Sequence, residues 1–159
     1  VDALASLGRY GTYQLGLGAG GSLSESTWYR FDVSQRESDG YVDRMDPSSL
    51  NTTGSLLWMA SDTLAIKLSF DHLSDELADY WGTPLVPTAA ARSPMNNVIS
   101  TRTGETLDKA MRGLNYNVTD SRAESNQLFL NADITWNPAE NVTLKNKKKV
   151  KKIGGHLKY

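Results

Sequence analysis

The sequence has no cysteine and only 2 histidines among its 159 residues. The absence of cysteine excludes a disulfide framework and a thiolate metal site. His72 lies near Asp71, Asp75 and Glu76, but a solvated strand end explains this grouping better than a metal or acid–base cluster. His156 is far away along the chain, and no nucleophile has a paired base. We therefore expect no enzymatic activity, no metal site and no cofactor.

Apolar residues are scarce and never form a long run. They make up 39% of the chain, and the 13 glycines bring that share only to about the lower bound of the roughly 45–50% typical of soluble domains. No run approaches the ~20 apolar residues of a membrane-spanning helix. A transmembrane β-barrel stays compatible with these numbers, because its strands show only a weak alternation of apolar and polar residues.

Charge is distributed unevenly along the chain. The formal net charge of −1 predicts no nucleic-acid partner. Residues 1–144 carry ten basic and eighteen acidic side chains, a net charge of −8, whereas the last fifteen residues carry seven lysines and no acid. The C-terminal stretch therefore differs in kind from the rest.

Alternation of apolar and polar residues predicts an all-β protein. In the stretch TWYRFDVSQRESDGYV, the residues Tyr29, Phe31 and Val33 alternate with Arg30, Asp32 and Ser34, which would place the two sets on opposite faces of a strand. The same pattern recurs along the chain. The predicted strands cover residues 2–7, 12–19, 27–36, 52–60, 63–71, 127–136 and 142–145.

The connections between these strands alternate between short and long. Residues 20–26 and the turns after Trp58 and Trp136 are short, whereas residues 38–50 and 74–124 are long. Short turns at one end and long loops at the other are typical of outer-membrane barrels. Trp28, Tyr29, Trp58 and Trp136 would form an interfacial girdle at the tight-turn end. We therefore expect Tyr29, Phe31 and Val33 to face lipid; a soluble sandwich with polar outer faces is the alternative.

Several segments together resemble TonB-dependent siderophore receptors. They occur in the order DALASLGRYGTYQLGLGAGG, YRFDVSQRESDGYVD, LSFDHLSDELADYWGTPLVP, LNYNVTDS and ITWNPAENVTLKN. The resemblance covers about residues 1–146 and implies an antiparallel meander of about seven strands. That meander would be an open segment of a 22-stranded transmembrane barrel, whose lumen holds a plug domain. The plug, its TonB contact and most of the barrel have no counterpart in these residues, so the resemblance implies a receptor fragment.

The lysine-rich residues 147–159 depart from the resemblance. Lysine on a lipid face costs about 2–4 kcal/mol at the bilayer midplane, so we expect the strand that begins at Val142 to end near Lys145. Three interpretations stay open. The tail arises from a frameshift or a misread gene end, or it is a polybasic segment that meets anionic headgroups or nucleic acid. In the third interpretation, Gly154, Leu157 and Tyr159 imitate the last strand of a complete small barrel.

Two loop segments contain the candidate ligand-binding residues. Large aromatics in a loop bounded by glycine and proline are unfavourable in water unless they contact something. The resemblance implies that loop aromatics of such receptors contact the ferric siderophore, which gives Tyr80 and Trp81 this role. Tyr116 and Arg112 are weaker candidates, since an arginine would attract an anionic chelate. Iron arrives already chelated, so no side chain is expected to ligate it.

The resemblance implies a bacterial outer-membrane receptor that binds and imports ferric siderophores. Its partners would be the siderophore, outer-membrane lipid and, through the absent plug region, the TonB complex. The alternative is a small self-contained barrel, or a soluble β-rich binding module with a basic C-terminal tail.

Overall fold

The computed structural model describes residues 1–100, 102–118 and 121–158. These residues form ten strands and two single 3-10 turns, Thr88–Ala90 and Lys109–Met111. No described helix is long or apolar enough to cross a membrane. The strands are β1 (Asp2–Leu7), β2 (Tyr13–Ser24), β3 (Thr27–Glu37), β4 (Ser48–Ser61), β5 (Leu64–Ala78), β6 (Leu85–Pro87), β7 (Pro94–Ile99), β8 (Glu105–Asp108), β9 (Arg122–Ala139) and β10 (Val142–Lys158).

Seven strands form one open antiparallel sheet in the order β1-β2-β3-β4-β5-β9-β10. Each strand pairs with the next one in that order, and β1 and β10 lie at opposite edges. The predicted seven-stranded antiparallel meander is confirmed. The alternative of a small self-contained barrel is wrong for the described residues, because the two edge strands do not pair with each other.

The register of the strands gives the sheet one apolar and one polar face. Phe31, Gly54, Phe70, Leu130 and Val150 lie side by side on neighbouring strands. Their polar neighbours in sequence alternate onto the other face. The exposed fraction is 44% for Phe31 and 45% for Leu130, so no second apolar layer covers this face within the described residues. A sandwich would need such a layer.

Tight turns and long connections are segregated to opposite ends of the sheet, as the sequence predicted. Residue pairs 25–26, 62–63 and 140–141 join strands at one end, and each pair lies next to a register irregularity. Residues 8–12, 38–47 and 79–121 connect strands at the other end. The expected connection at 20–26 is shorter than predicted, because Gly20 and Gly21 still pair with β3.

The aromatic residues at the tight-turn end divide between the two faces. The register places Tyr29, Trp58 and Trp136 on the apolar face, in line with Leu56 and Leu64. Trp28 pairs with Leu57 and lies on the polar face instead. The girdle predicted at this end therefore has three members on the apolar face, and Trp28 is not one of them.

The long connection is more ordered than its sequence suggested. Residues 74–124 were expected to be a loop, but β5 continues to Ala78 and β9 already begins at Arg122. Between them, β6, β8 and β7 form a second, three-stranded sheet. Leu85 pairs with Leu107, far along the chain, so no local periodicity could have indicated this pairing.

The lysine-rich stretch is a strand, and the expectation that β10 ends near Lys145 is wrong. β10 pairs with β9 along its whole length, from Val142 opposite Ala139 to Lys158 opposite Arg122. The ladder is formed by backbone N–H and C=O groups, which lysine supplies like any other residue. That residues 147–159 are foreign to the receptor pattern stays a prediction.

Candidate ligand-binding site in the long loops

The described parts of the three long connections form one cluster, which we call the loop cluster (residues 8–12, 38–47, 79–100 and 102–118). The first two are joined at Tyr10, whose carbonyl oxygen accepts from the Asp39 backbone N–H at 2.9 Å and from the Ser38 hydroxyl at 3.2 Å. The hydroxyls of Thr12 and Ser38 lie 2.7 Å apart. These contacts join the first two loops to each other at this end of the sheet.

Arg44 and its neighbours fasten the middle loop to the last one. The Arg44 guanidinium donates to the carbonyl oxygen of Asn115 at 2.7 Å, and the Asp43 N–H donates to that of Gly113 at 2.8 Å. Arg44 has a φ of 60°, a left-handed conformation that is uncommon outside glycine. Val42 is 2% exposed and is the buried hydrophobic residue of the described chain. Among the described residues, the buried hydrophobic side chain thus lies in a loop and not in the sheet.

The last loop is also fastened to the end of β5. The Asn115 side-chain amide donates to the Asp79 carbonyl oxygen at 3.2 Å, and the Ser121 hydroxyl donates to the Asp79 carboxylate at 3.0 Å. These contacts hold residues 115–116 next to residues 79–80. The segments that carry Tyr80 and Tyr116 are therefore brought together, although the two residues are 36 positions apart in the sequence.

Asp108 organises the small sheet from within. It is 3% exposed, and its carboxylate accepts from the backbone N–H groups of Arg92, Ser93 and Ala110 at 2.8, 2.9 and 3.0 Å. The hydrogen bond from Arg92, followed by those from Ala110 and Ser93, holds the pKa of Asp108 below its ordinary value against the opposing effect of burial. The Asp108 carboxylate therefore stabilises the loop structure, and we assign it no role in ligand binding or catalysis.

An ion pair ties the loop cluster to the adjacent ends of β5 and β9. The Arg122 guanidinium lies 2.7 Å from the Asp46 carboxylate and 3.7 Å from that of Glu76. The hydrogen bond from Arg122 lowers the pKa of Asp46 from its ordinary value. The middle loop is thereby tied to the first residue of β9.

The four residues predicted from sequence all lie in the loop cluster, in different settings. The Tyr80 hydroxyl is 2.9 Å from that of Thr83, and the ring is half-buried. Trp81 is 85% exposed and Tyr116 is 48% exposed. Arg112 is exposed and follows the turn Lys109–Met111. Within the described chain, no side-chain hydrogen bond, ion pair or ring contact engages Trp81, Tyr116 or Arg112.

Two further aromatics, Tyr10 and Tyr41, extend this set and were missed from the sequence. The Tyr41 ring contacts Tyr80 edge-on, with centroids 6.4 Å apart at 86°, and it contacts Tyr10 at 6.3 Å. This row, Tyr10–Tyr41–Tyr80, joins all three long loops. The available signal was that each tyrosine belongs to a connection at the same end of the meander.

No catalytic or metal constellation accompanies these residues in the part of the chain that is described. No group of three or more histidine, aspartate or glutamate side chains there could hold a metal ion. His72 is engaged with Asn126, at 2.9 Å from Nε2 to Oδ1. The arrangement is suited to contact with a ligand through rings and a guanidinium.

Together, the seven-stranded meander, its apolar outer band and its one-sided loops define a segment of a β-barrel wall. The segment matches the crystal structure of Fiu, the ferric-catecholate import receptor of E. coli K12, in its open form, with a TM-score of 0.76 and 13% sequence identity. The match covers 96% of this chain and 23% of Fiu. The fold is thus that of part of the Fiu barrel. No protein-family model and no curated protein matches the sequence.

Proposed function

We propose that this chain is part of the wall and outer loops of an outer-membrane TonB-dependent receptor that binds and imports a ferric siderophore. The observation that carries the proposal is the loop cluster at one end of a barrel-wall sheet. Three connections, distant in sequence, are fastened into one layer by the contacts of Tyr10, Arg44 and Asn115. Such rigid presentation favours binding, because little ordering is then needed when the ligand arrives.

The exposed ends of this layer supply the ligand contacts. Trp81, at 85% exposure, offers a ring face to the aromatic or apolar parts of a chelate. Tyr116 adds a second ring, and Arg112 adds a positive charge for an anionic ligand. Tyr80 precedes Trp81 in the chain and is held in place by its contacts with Thr83 and Tyr41. The iron stays bound to its chelator, so these residues recognise the chelate and not the metal.

The sheet itself serves as wall rather than as binding site. Its apolar face would contact outer-membrane lipid, with Tyr29, Trp58 and Trp136 near one interface. Its open edges would require further strands, since unpaired backbone groups are costly in hydrocarbon. Coupling to the TonB complex belongs to the plug region of such receptors, so this segment contributes recognition and enclosure.

Ligand binding by the loops can be tested with ferric tris(2,3-dihydroxybenzoate) as the probe. The full chain in detergent micelles would be titrated and binding followed by isothermal calorimetry, with the ferric trihydroxamate complex as a second probe. We expect Trp81→Ala to weaken binding about five- to tenfold, as loss of an aromatic contact of ~1–1.5 kcal/mol implies. Arg112→Gln should weaken binding of the anionic catecholate and leave a neutral chelate unaffected.

Trp58→Phe is the matched control, because Trp58 lies at the opposite end of the sheet. It should leave the dissociation constant unchanged. Equal losses in the two tryptophan variants, or no heat of binding from either chelate with the β-sheet spectrum intact, would contradict the proposal.

A further inference from the structure

Tyr10 combines a strained backbone with an exposed side chain. Its φ of 58° lies in the left-handed region, where a bulky residue is a genuine outlier. Gly11 follows at a φ of 62° and is the residue type that such a conformation favours. Tyr10 is 58% exposed, so burial does not offset the strain. Neither the turn nor a hydrophobic core therefore explains a tyrosine at position 10.

Tyr41 is also exposed although it contacts two other rings. It is 52% exposed, and its ring lies between those of Tyr10 and Tyr80, with centroids 6.3 and 6.4 Å away. More than half of Tyr10 and of Tyr41 thus stays open to solvent, side by side. Neighbouring exposed aromatics of this kind indicate a surface that contacts something.

The backbone around this row is held in place by hydrogen bonds. The Tyr10 carbonyl oxygen accepts from the Asp39 N–H at 2.9 Å and from the Ser38 hydroxyl at 3.2 Å. Strained conformations persist where the surroundings determine them, and they cluster at ligand sites. In the described part of the chain, neither the Tyr10 nor the Tyr41 hydroxyl is hydrogen-bonded, so both can donate to a ligand oxygen. The row thus offers aromatic surface and hydroxyl donors together.

We propose that Tyr10 and Tyr41 contact the ligand of the loop cluster and select iron chelates whose oxygen donors belong to aromatic rings. The inference rests on the proposed receptor function and adds to it a ligand-contacting surface that continues from Tyr80. Rings associate with other rings through offset or edge-to-face contacts, and hydroxyls donate strongly to anionic oxygens. A chelate without rings would gain only the second kind of contact.

Ferric tris(catecholate) and ferric tris(oxalate) separate ring recognition from charge. Both are trianionic, six-coordinate oxygen complexes, and only the first has aromatic rings. The full chain in detergent micelles would be titrated with each complex by isothermal calorimetry, in the presence of excess chelator. We expect the catecholate complex to bind about tenfold more tightly than the oxalate complex.

Tyr10→Gly removes the ring and relieves the backbone strain in one change. It should weaken binding of the catecholate complex about fivefold and change binding of the oxalate complex less than about twofold. The urea midpoint should change little, because relief of the left-handed backbone offsets the lost ring contact. A tyrosine with only a structural role would instead give a lower midpoint and equal losses of affinity for the two complexes.

Two further variants control for the change of residue type. Tyr10→Phe keeps the ring and should retain the affinity for the catecholate complex to within about threefold. Tyr29→Leu removes a tyrosine from the apolar face at the opposite end of the sheet. It should leave the dissociation constants of both complexes unchanged.

Trp81→Ala, measured in parallel, distinguishes this inference from the proposed function. If Trp81→Ala weakens binding of the catecholate complex and Tyr10→Gly does not, the inference is overturned and the receptor proposal stands. Equal affinities of the unmodified chain for the two complexes, or equal losses for both in Tyr10→Gly, also overturn it. If neither complex binds while the β-sheet spectrum is intact, both proposals are wrong.

Discussion

A substitution at Gly54 would test whether the side chains on the apolar face of the sheet are closely packed. This glycine lies in β4 between Phe31 on β3 and Phe70 on β5. The two rings contact each other across it, with centroids 6.4 Å apart at 50°. A Cβ at position 54 would overlap Cε1 of Phe70 and lie 2.9 Å from its Cζ. Gly54→Ala therefore forces the Phe70 ring off its present position.

The magnitude follows from three opposing effects. Loss of the ring contact costs about 0.5–1.5 kcal/mol, and overpacking costs a further ~1–3 kcal/mol. Alanine recovers about 0.5–1 kcal/mol because it has less backbone freedom to lose in a strand. We expect Gly54→Ala to lower the free energy of unfolding by about 2 kcal/mol.

Gly21→Ala is the matched control, because Gly21 is on the same face and a Cβ there would meet nothing within 4 Å. Urea unfolding in detergent micelles, followed by tryptophan fluorescence, would give both free energies of unfolding. Gly21→Ala should be neutral or slightly stabilising. In the Gly54→Ala background, Phe70→Leu should recover part of the loss. Equal effects of the two glycine substitutions would refute the idea that Gly54 exists to accommodate the ring.

Three predictions concern the loop cluster. Tyr41→Ala removes two ring contacts, which should lower the local stability of the loop cluster by about 1–2 kcal/mol. Hydrogen exchange of the Asp39 N–H should therefore become faster. Arg122→Gln should change the free energy of unfolding by less than about 1 kcal/mol, as for other exposed ion pairs, and should raise the pKa of Asp46 toward its ordinary value in an NMR titration. The pKa of Asp108 is lower in the folded protein than in the unfolded chain. The ionised carboxylate therefore contributes fully to the stability of the loop above the unfolded pKa of about 3.9. This contribution is lost as pH falls through the folded pKa. Exchange protection of the Arg92, Ser93 and Ala110 N–H groups should fall over that range, and Asp108→Asn should abolish this pH dependence.

The strands of the seven-stranded sheet could be predicted from the sequence, because their alternating pattern depends only on neighbouring residues. Leu64, Ile66, Leu68 and Phe70 alternate with polar neighbours, and this two-residue period assigns both the strand and its faces without knowledge of any partner. Turn positions such as 62–63 follow in the same way. The aromatic girdle was only partly readable, because Trp28 and Tyr29 are adjacent and must point to opposite faces.

The candidate site was readable at Tyr80, Trp81, Tyr116 and Arg112 through a resemblance in the loops, and their binding role stays a prediction. The row that joins Tyr10, Tyr41 and Tyr80 was not readable, because its members lie up to 70 positions apart and nothing local links them. The small sheet β6-β8-β7 was missed for the same reason.

The sequence by itself determined which residues are extended, which face of the wall each occupies and where the tight turns fall, because these depend on neighbours a few positions away. Only the tertiary structure decided three features. These are the extent of β10 across the lysine-rich residues, the contacts between the long loops, and the identity of the carboxylates that bind and stabilise those loops. Those outcomes depend on backbone pairing and side-chain contacts between distant segments, and such contacts leave no periodic trace in the chain.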